Sequence, residues 1–189
     1  MVEEPIREMK WEPLQERSDA APLDVPEVQE EEGGAFSLEL IQEVRENYTD
    51  EQRQNLYQKI NEMGTAEKLR LSIVANREAR NLLIHDPNKV IPLAVLKNRK
   101  VNESEVLQYA KKRDLPEDVL LAISKDQKWK KSYPIKFALV SNPKTPLSAA
   151  IQLLPHLQER DLKSLSRGND VSSVLRRKAQ EILHSKNKN

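Results

Sequence analysis

The sequence predicts an all-α fold made of short helical units stacked side by side, and three observations predict it. Apolar residues recur at three- and four-residue spacing from Leu38 to Leu183, and no segment sustains the two-residue alternation of a strand. Glycine is scarce, with 4 residues, and aromatics make up only 4%, which argues against a β-sandwich or barrel with its many turns and ring-filled core. One apolar segment also recurs in register further along the chain. A length of 189 residues fits one domain with a tail.

Residues 1–36 form the first division. They hold 11 Asp+Glu, 3 Lys+Arg and the prolines Pro5, Pro13, Pro22 and Pro26, for a net charge of −8. Such a segment buries too little apolar area to offset its ordering entropy, so it reads as a disordered acidic tail. Within it Ile6, Met9, Trp11 and Leu14 stand out as a candidate docking motif. The remainder, 37–189, carries 28 Lys+Arg against 19 Asp+Glu, a net +9 that the overall +1 conceals.

Residues 37–64 read as a helical hairpin. Ser37 caps a stretch with Leu38, Leu40, Ile41, Val44 and Tyr48. Thr49 and Gln52 have the spacing of a capping box before Leu56, Tyr57, Ile60 and Met63, and Gly64 ends that helix. From 65 to 185 the helices become shorter and more numerous. Thr65 caps 66–75. Asp86-Pro87 pairs a cap with a proline at the first helical position. Asn102 and Glu105 form a capping pair. Pro116 and Pro134 open the helices 117–124 and 135–140, and Thr145-Pro146 opens another. Asp170 precedes Val171, Val174, Leu175, Ala179, Ile182 and Leu183. Pro92 and Pro155 fall inside apolar patterns and are expected to kink or shorten their helices.

Self-comparison reveals an internal repeat. Ile91-Pro92-Leu93-Ala94-Val95-Leu96-Lys97-Asn98 aligns without gaps to Ile135-Lys136-Phe137-Ala138-Leu139-Val140-Ser141-Asn142, an offset of 44. A break and a capped helix follow each. Units this short cannot bury their own apolar faces, and stacking them builds a continuous core. Ala94 and Ala138 are small where neighbouring helices would approach closely. Asn98 and Asn142 are expected in the left-handed conformation that ends many helices.

The run Ile135-Lys136-Phe137-Ala138-Leu139-Val140-Ser141-Asn142-Pro143-Lys144-Thr145-Pro146 resembles the leucine-rich repeat variant motif. That motif reads aliphatic, basic, any residue, alanine, two aliphatics, any residue, Asn-Pro, then proline three positions on. At Ile91–Asn102 the match is partial, because Pro92 replaces the basic residue, Arg99 the first proline and Asn102 the second. The resemblance covers 65–185. It implies a short right-handed α-solenoid, close to the HEAT-like repeats of bacteria, used mainly for binding and bringing no catalytic residues.

The chemistry of the remaining residues points the same way. Without cysteine there are no disulfides, thiolate metal sites or cysteine nucleophile. His85, His156 and His184 are too widely spaced for a helical metal pair. Gly33, Gly34, Gly64 and Gly168 make no phosphate loop. Asp114, Glu117, Asp118 and Asp126 form a loose acidic set, two of them placed to complement the start of a helix. The reading therefore assigns no catalytic residue, metal or cofactor.

A basic cluster remains as the candidate binding surface: Lys125, Lys128, Lys130, Lys131 and Lys136 surrounding Trp129 and Tyr133. Lys111-Lys112-Arg113 and Arg176-Arg177-Lys178 are two lesser clusters. Cations interleaved with aromatics suit nucleic acid, with bases stacked on the rings. The opposing reading turns Trp129 and Tyr133 inward while the lysines reach solvent. The sequence thus predicts a non-catalytic scaffold whose basic surface binds an acidic or helical segment of a protein partner, with the acidic flexible arm supplying a second contact or competing with that partner; the alternative is a nucleic-acid-binding helical-repeat protein whose acidic tail regulates binding. No apolar run is long enough to span a membrane, and no signal peptide is evident, so a cytoplasmic location is expected.

Overall fold

The computed structural model describes residues 36–43, 48–168 and 170–186. All regular structure among them is helical: α1 (Leu38–Ile41), α2 (Asp50–Glu62), α3 (Thr65–Val74), α4 (Arg77–Leu83), α5 (Val90–Lys97), α6 (Glu103–Lys111), α7 (Glu117–Lys125), α8 (Tyr133–Ser141), α9 (Leu147–Leu153), α10 (Glu159–Arg167) and α11 (Ser173–Lys186). Two 3-10 turns, Trp129–Lys131 and Leu154–His156, precede α8 and follow α9. The tail residues 1–35, including the Ile6, Met9, Trp11 and Leu14 motif, lie outside the described residues.

Six pairs of helices two apart in the chain pack on each other, α1 on α3, α3 on α5, α5 on α7, α2 on α4, α6 on α8 and α9 on α11, while the most extensive packing joins the sequential neighbours α10 and α11. One apolar core runs through them from Leu40 to Ala179. It takes in Leu56 and Ile60 of α2, so 37–64 shares its core with the helices from α3 onward. Ala94 and Ala138 are both buried, where a larger side chain would force the helices apart.

Local chemistry sets several helix starts. At Thr49 and Gln52 the side-chain oxygens accept each other's backbone N–H, at 3.2 and 2.9 Å. The same reciprocal pair joins Asn102 to Glu105 at the start of α6. Pro116 directly precedes α7, and Pro134 occupies the first turn of α8, where no N–H partner is lost. Pro92 is the third residue of α5 and likewise costs that helix no internal bond. Pro155 does shorten its helix, with α9 giving way to a 3-10 turn at Leu154.

Elsewhere the structure departs from the sequence reading, and tertiary contacts supply the reason. The first helix of the expected hairpin is a single turn. The carbonyls of Glu39, Leu40 and Gln42 accept hydrogen bonds from Asn76 at 2.6–3.0 Å, and Tyr48 Oη also donates to Glu39. Donors from α3's end thus take positions that a longer α1 would have filled. Val44 lies outside the described residues. Gly64 has φ −68 and precedes α3, its N–H held by Glu67 Oε2 at 2.9 Å, so it is not a left-handed helix stop. Asp86-Pro87 opens no helix: Asp86 is drawn to Lys68 Nζ at 3.0 Å and to the Asn88 N–H at 2.9 Å, and α5 begins only at Val90. The Thr145 hydroxyl is buried and makes no cap bond to α9.

The largest correction concerns the asparagines. Asn98 (φ −61) and Asn142 (φ −86) are extended, and no described residue has positive φ. Each buried side-chain amide instead reaches across to the carboxyl end of an earlier helix. Asn98 Nδ2 donates to the carbonyls of Ser72 (2.9 Å) and Ala75 (3.2 Å) at the end of α3. Asn142 Nδ2 donates to those of Ala110 (2.8 Å) and Lys112 (2.7 Å) at the end of α6. In each case the side-chain oxygen accepts the N–H two residues on, at 2.9 Å, and the backbone carbonyl accepts the N–H three residues on. Helix carboxyl ends carry unpaired carbonyls that must find donors when buried. An amide, with donors and an acceptor on one short stem, satisfies a neighbour's end and its own loop together.

A buried ion pair ties a second set of helices. Arg80 of α4 is 1% exposed and Glu105 of α6 is 0% exposed. The guanidinium grips the carboxylate through Nε–Oε1 (3.0 Å) and Nη2–Oε2 (2.9 Å). Its Nη1 donates to Glu43 Oε1 and to the Ala75 carbonyl, both at 2.7 Å. Burial opposes the charge on Arg80, but the hydrogen bonds and charges of Glu105 and Glu43 outweigh it, so its pKa is raised.

Candidate binding surface

The hydrogen bonds place the helix ends into two groups. α1, α3, α5 and α7 finish at one end of the array: Asn98 reaches the end of α3, Lys100 Nζ donates to the Ile41 carbonyl (2.9 Å) and the Val74 carbonyl (3.3 Å), and Lys128 Nζ donates to the Val101 carbonyl (3.4 Å). α4, α6 and α8 finish at the opposite end, where Lys112 Nζ approaches His85 Nε2 at 3.3 Å and Asn142 reaches the end of α6.

At the opposite end, several side chains meet a partner of opposite type. Lys68 pairs with Asp86 (3.0 Å), Lys89 with Asp118 (2.7 Å), His85 with Asp114 (3.3 Å) and Arg113 with Asp170 (3.9 Å). Of the Lys111-Lys112-Arg113 cluster, Arg113 alone has a carboxylate partner among the described residues, Asp170; of the acidic set, Asp118 pairs with Lys89 and Asp114 faces His85. In α11, Lys178 pairs with Glu181 at 2.9 Å. His156 and His184 are exposed. Among the described residues no group of three His, Asp or Glu side chains could hold a metal.

The first end carries the cluster singled out in sequence. Asp126 organises its loop: its carboxylate accepts the Lys128 N–H at 2.7 Å and its carbonyl accepts the Lys130 N–H at 2.8 Å. Ser132 N–H closes back on the Trp129 carbonyl at 3.0 Å, and Ser132 Oγ donates to Glu103 at 2.5 Å, which fixes the loop to the start of α6. Lys125, Lys130 and Lys131 are exposed on this frame, and none meets a carboxylate among the described residues. Lys136, on the first turns of α8, is half-buried.

The two aromatics have other roles. Trp129 is 4% exposed and belongs to the core, with Lys128 Nζ 4.1 Å above its ring centroid. Core on one side and a lysine on the other leave no ring face for a base to stack on. Tyr133 is half-buried, donates to the Asp161 carboxylate and accepts the Gln158 N–H at 3.0 Å. Burial, then the bond to Asp161, raises its pKa. Trp129 and Tyr133 therefore anchor the loop, and the lysines Lys125, Lys130, Lys131 and Lys136 are what it presents.

Lys100 belongs to the same end and was missed in the sequence reading. The signal was there as a pattern: Asn98-Arg99-Lys100, Asp126-Gln127-Lys128 and Asn142-Pro143-Lys144 each place lysine two residues after Asn or Asp. In all three the Asn or Asp oxygen accepts the lysine N–H, at 2.7–2.9 Å, forming the turn that presents it. The first two lie at the basic end.

One cleft, of about 300 Å³, lies beside α2 and is lined by Glu39, Tyr48, Asn55 and Glu62, with Lys59 bonded to Glu39 at 2.6 Å. It contains none of the residues singled out in sequence as a binding surface. Among the described residues no helix is long and apolar enough to cross a membrane. No family model, curated protein or solved structure matches the chain.

Proposed function

We propose that the chain is a non-catalytic interaction module: a short right-handed α-solenoid, HEAT-like and of the leucine-rich repeat variant kind, whose basic end grips an acidic segment of a protein partner. The observation that carries this reading is the exposed trio of Lys125, at the end of α7, with Lys130 and Lys131, on the following turn whose backbone is pinned by Asp126, Trp129 and Ser132. The pinned backbone holds the three ammonium groups on one surface, and their combined field speeds encounter with an anionic ligand. The solenoid reading draws support from the packing of helices two apart and from the matching hydrogen bonds of Asn98 and Asn142, 44 residues apart.

A protein partner is favoured over nucleic acid on two grounds. The Trp129 ring is covered, which removes the stacking platform that single strands use. The exposed cations are lysines, and arginine is the better fork for phosphate. The reading assigns no catalytic residue, metal or cofactor and places the protein in the cytoplasm.

Titration with a labelled oligo-glutamate peptide, and in parallel with a DNA oligonucleotide of equal charge, tests it. The chain is used with its native tail and with the tail carboxylates replaced by amides. The expected result is a peptide complex whose affinity falls as salt rises. Absence of a peptide complex in both forms at low salt, or an oligonucleotide complex that outlasts the peptide complex at high salt, would overturn the proposal.

A further inference from the structure

The chain carries an acidic segment of its own. Asp24, Glu27, Glu30, Glu31 and Glu32 place five carboxylates within nine residues, with no Lys or Arg between them. The described structure starts at Phe36, just before α1, and the end of α1 touches the basic end: Lys100 Nζ donates to the Ile41 carbonyl at 2.9 Å. Glu32 is only four residues from Phe36. An extended chain spans up to about 3.5 Å per residue, so Glu27 reaches up to about 30 Å from Phe36.

We infer that the segment Asp24–Glu32 docks on this chain's own basic end, against Lys100, Lys128, Lys130 and Lys131, and competes there with the acidic partner. The inference deepens the proposed function and shares its surface, but its physical basis is separate. Among the described carboxylates near that end, Glu43 pairs with the Arg80 cation, while Glu103 and Asp126 accept from neutral donors, the Ser132 hydroxyl and the Lys128 N–H. Lys100 and Lys128 donate to backbone carbonyls, not to carboxylates. Among the described residues the exposed lysines of that end, Lys100, Lys125, Lys128, Lys130 and Lys131, thus outnumber Glu103 and Asp126, and the nearest surplus of negative charge in the sequence lies immediately before Phe36. A ligand joined by so short a connection meets its site at an effective concentration in the millimolar range, so even weak pairing is populated. Five carboxylates against four lysines is a contact of exposed charges, and it should weaken sharply with salt.

Two measurements on the full chain test the inference, and one needs no partner. Carbodiimide joins a carboxylate to an amine in direct contact, and peptide mapping then identifies the pairs. The expected products link Asp24–Glu32 to Lys100, Lys128, Lys130 or Lys131 at low salt and disappear at high salt. Links spread evenly to distant lysines such as Lys163 and Lys178, or no links from this segment, would overturn it. The second measurement compares oligo-glutamate affinity for the native chain and for the D24N/E27Q/E30Q/E31Q/E32Q variant. The variant is expected to bind about tenfold more tightly at low salt, with the gap closing at high salt. Equal affinity at low salt would count against the inference. If neither form binds peptide while the crosslinks persist, the tail contact stands and the proposed partner class falls.

Discussion

Removing one member of the Arg80–Glu105 pair should cost far more than removing both. Glu105→Leu deprives Arg80 of the bonds at Nε and Nη2 but leaves Nη1 held by Glu43 and the Ala75 carbonyl. Glu43 is 44% exposed, so that remaining contact is open to water. Losing half the fork places the cost at the lower end of the range for a broken buried pair, about 3 kcal/mol. Arg80→Met is harsher. It strands a carboxylate with 0% exposure on two long contacts, from Tyr109 Oη and the Asn102 N–H, each 3.4 Å. That loss should approach about 5 kcal/mol. The double variant removes both desolvated charges and fills the space with apolar atoms, so it should lie within about 1–2 kcal/mol of the parent. Urea unfolding of the four proteins supplies the cycle. If either single variant lost less than about 1 kcal/mol, or if the double variant lost the sum of the two, the ion pair would not be the brace described.

Asn142→Ala should cost about 1–3 kcal/mol, because it strips buried donors from the Ala110 and Lys112 carbonyls; Asn142→Asp, which keeps the shape but has no N–H, should be no better in thermal unfolding. Parent-like stability of the Ala variant would mean the amide bridge contributes nothing. Trp129→Ala should cost about 3–5 kcal/mol as a core truncation, and a loss below about 1 kcal/mol would return Trp129 to the surface. Tyr109 gives a pH signature. Burial, and next the Glu105 charge, push its phenol well above the ordinary value near ~10. The folded chain holds that proton longer than the unfolded one, so the stability tied to it is complete below about pH 10 and is lost as pH rises further. In an alkaline titration, one of the four tyrosines should ionise only as the helical dichroism collapses. Ionisation of all four with the helices intact would contradict the buried setting.

Much of the helical framework was legible because its determinants are local. Thr49 and Gln52, Asn102 and Glu105, and the prolines at 116 and 134 act within one turn, so spacing alone exposes them. The 44-residue register also marked Asn98 and Asn142 as special, but it suggested the wrong device. Their partners lie 23 to 32 residues away, and a local rule offers only the left-handed helix end in their place. The same blindness hid Arg80. In sequence it is one charged residue in a short helix, and only the fold brings Glu105, 25 residues later, onto its fork. Asp86-Pro87 satisfied every local rule for a helix start, yet the Lys68 ammonium gave Asp86 a different task. At the candidate surface the lysines could be read from composition. The inward turn of Trp129 could not be decided there, since an aromatic among cations fits either a binding platform or an anchor.

The most direct test of the binding claim is a charge reversal on the frame that stays behind. The variant K125E/K130E/K131E changes three exposed side chains and leaves Asp126, Trp129 and Ser132 in place. Calorimetric titration with the acidic peptide, alongside a thermal unfolding curve, should show affinity reduced by at least about tenfold at low salt while the melting temperature hardly moves. Undiminished affinity in a variant that folds as the parent does would contradict the account.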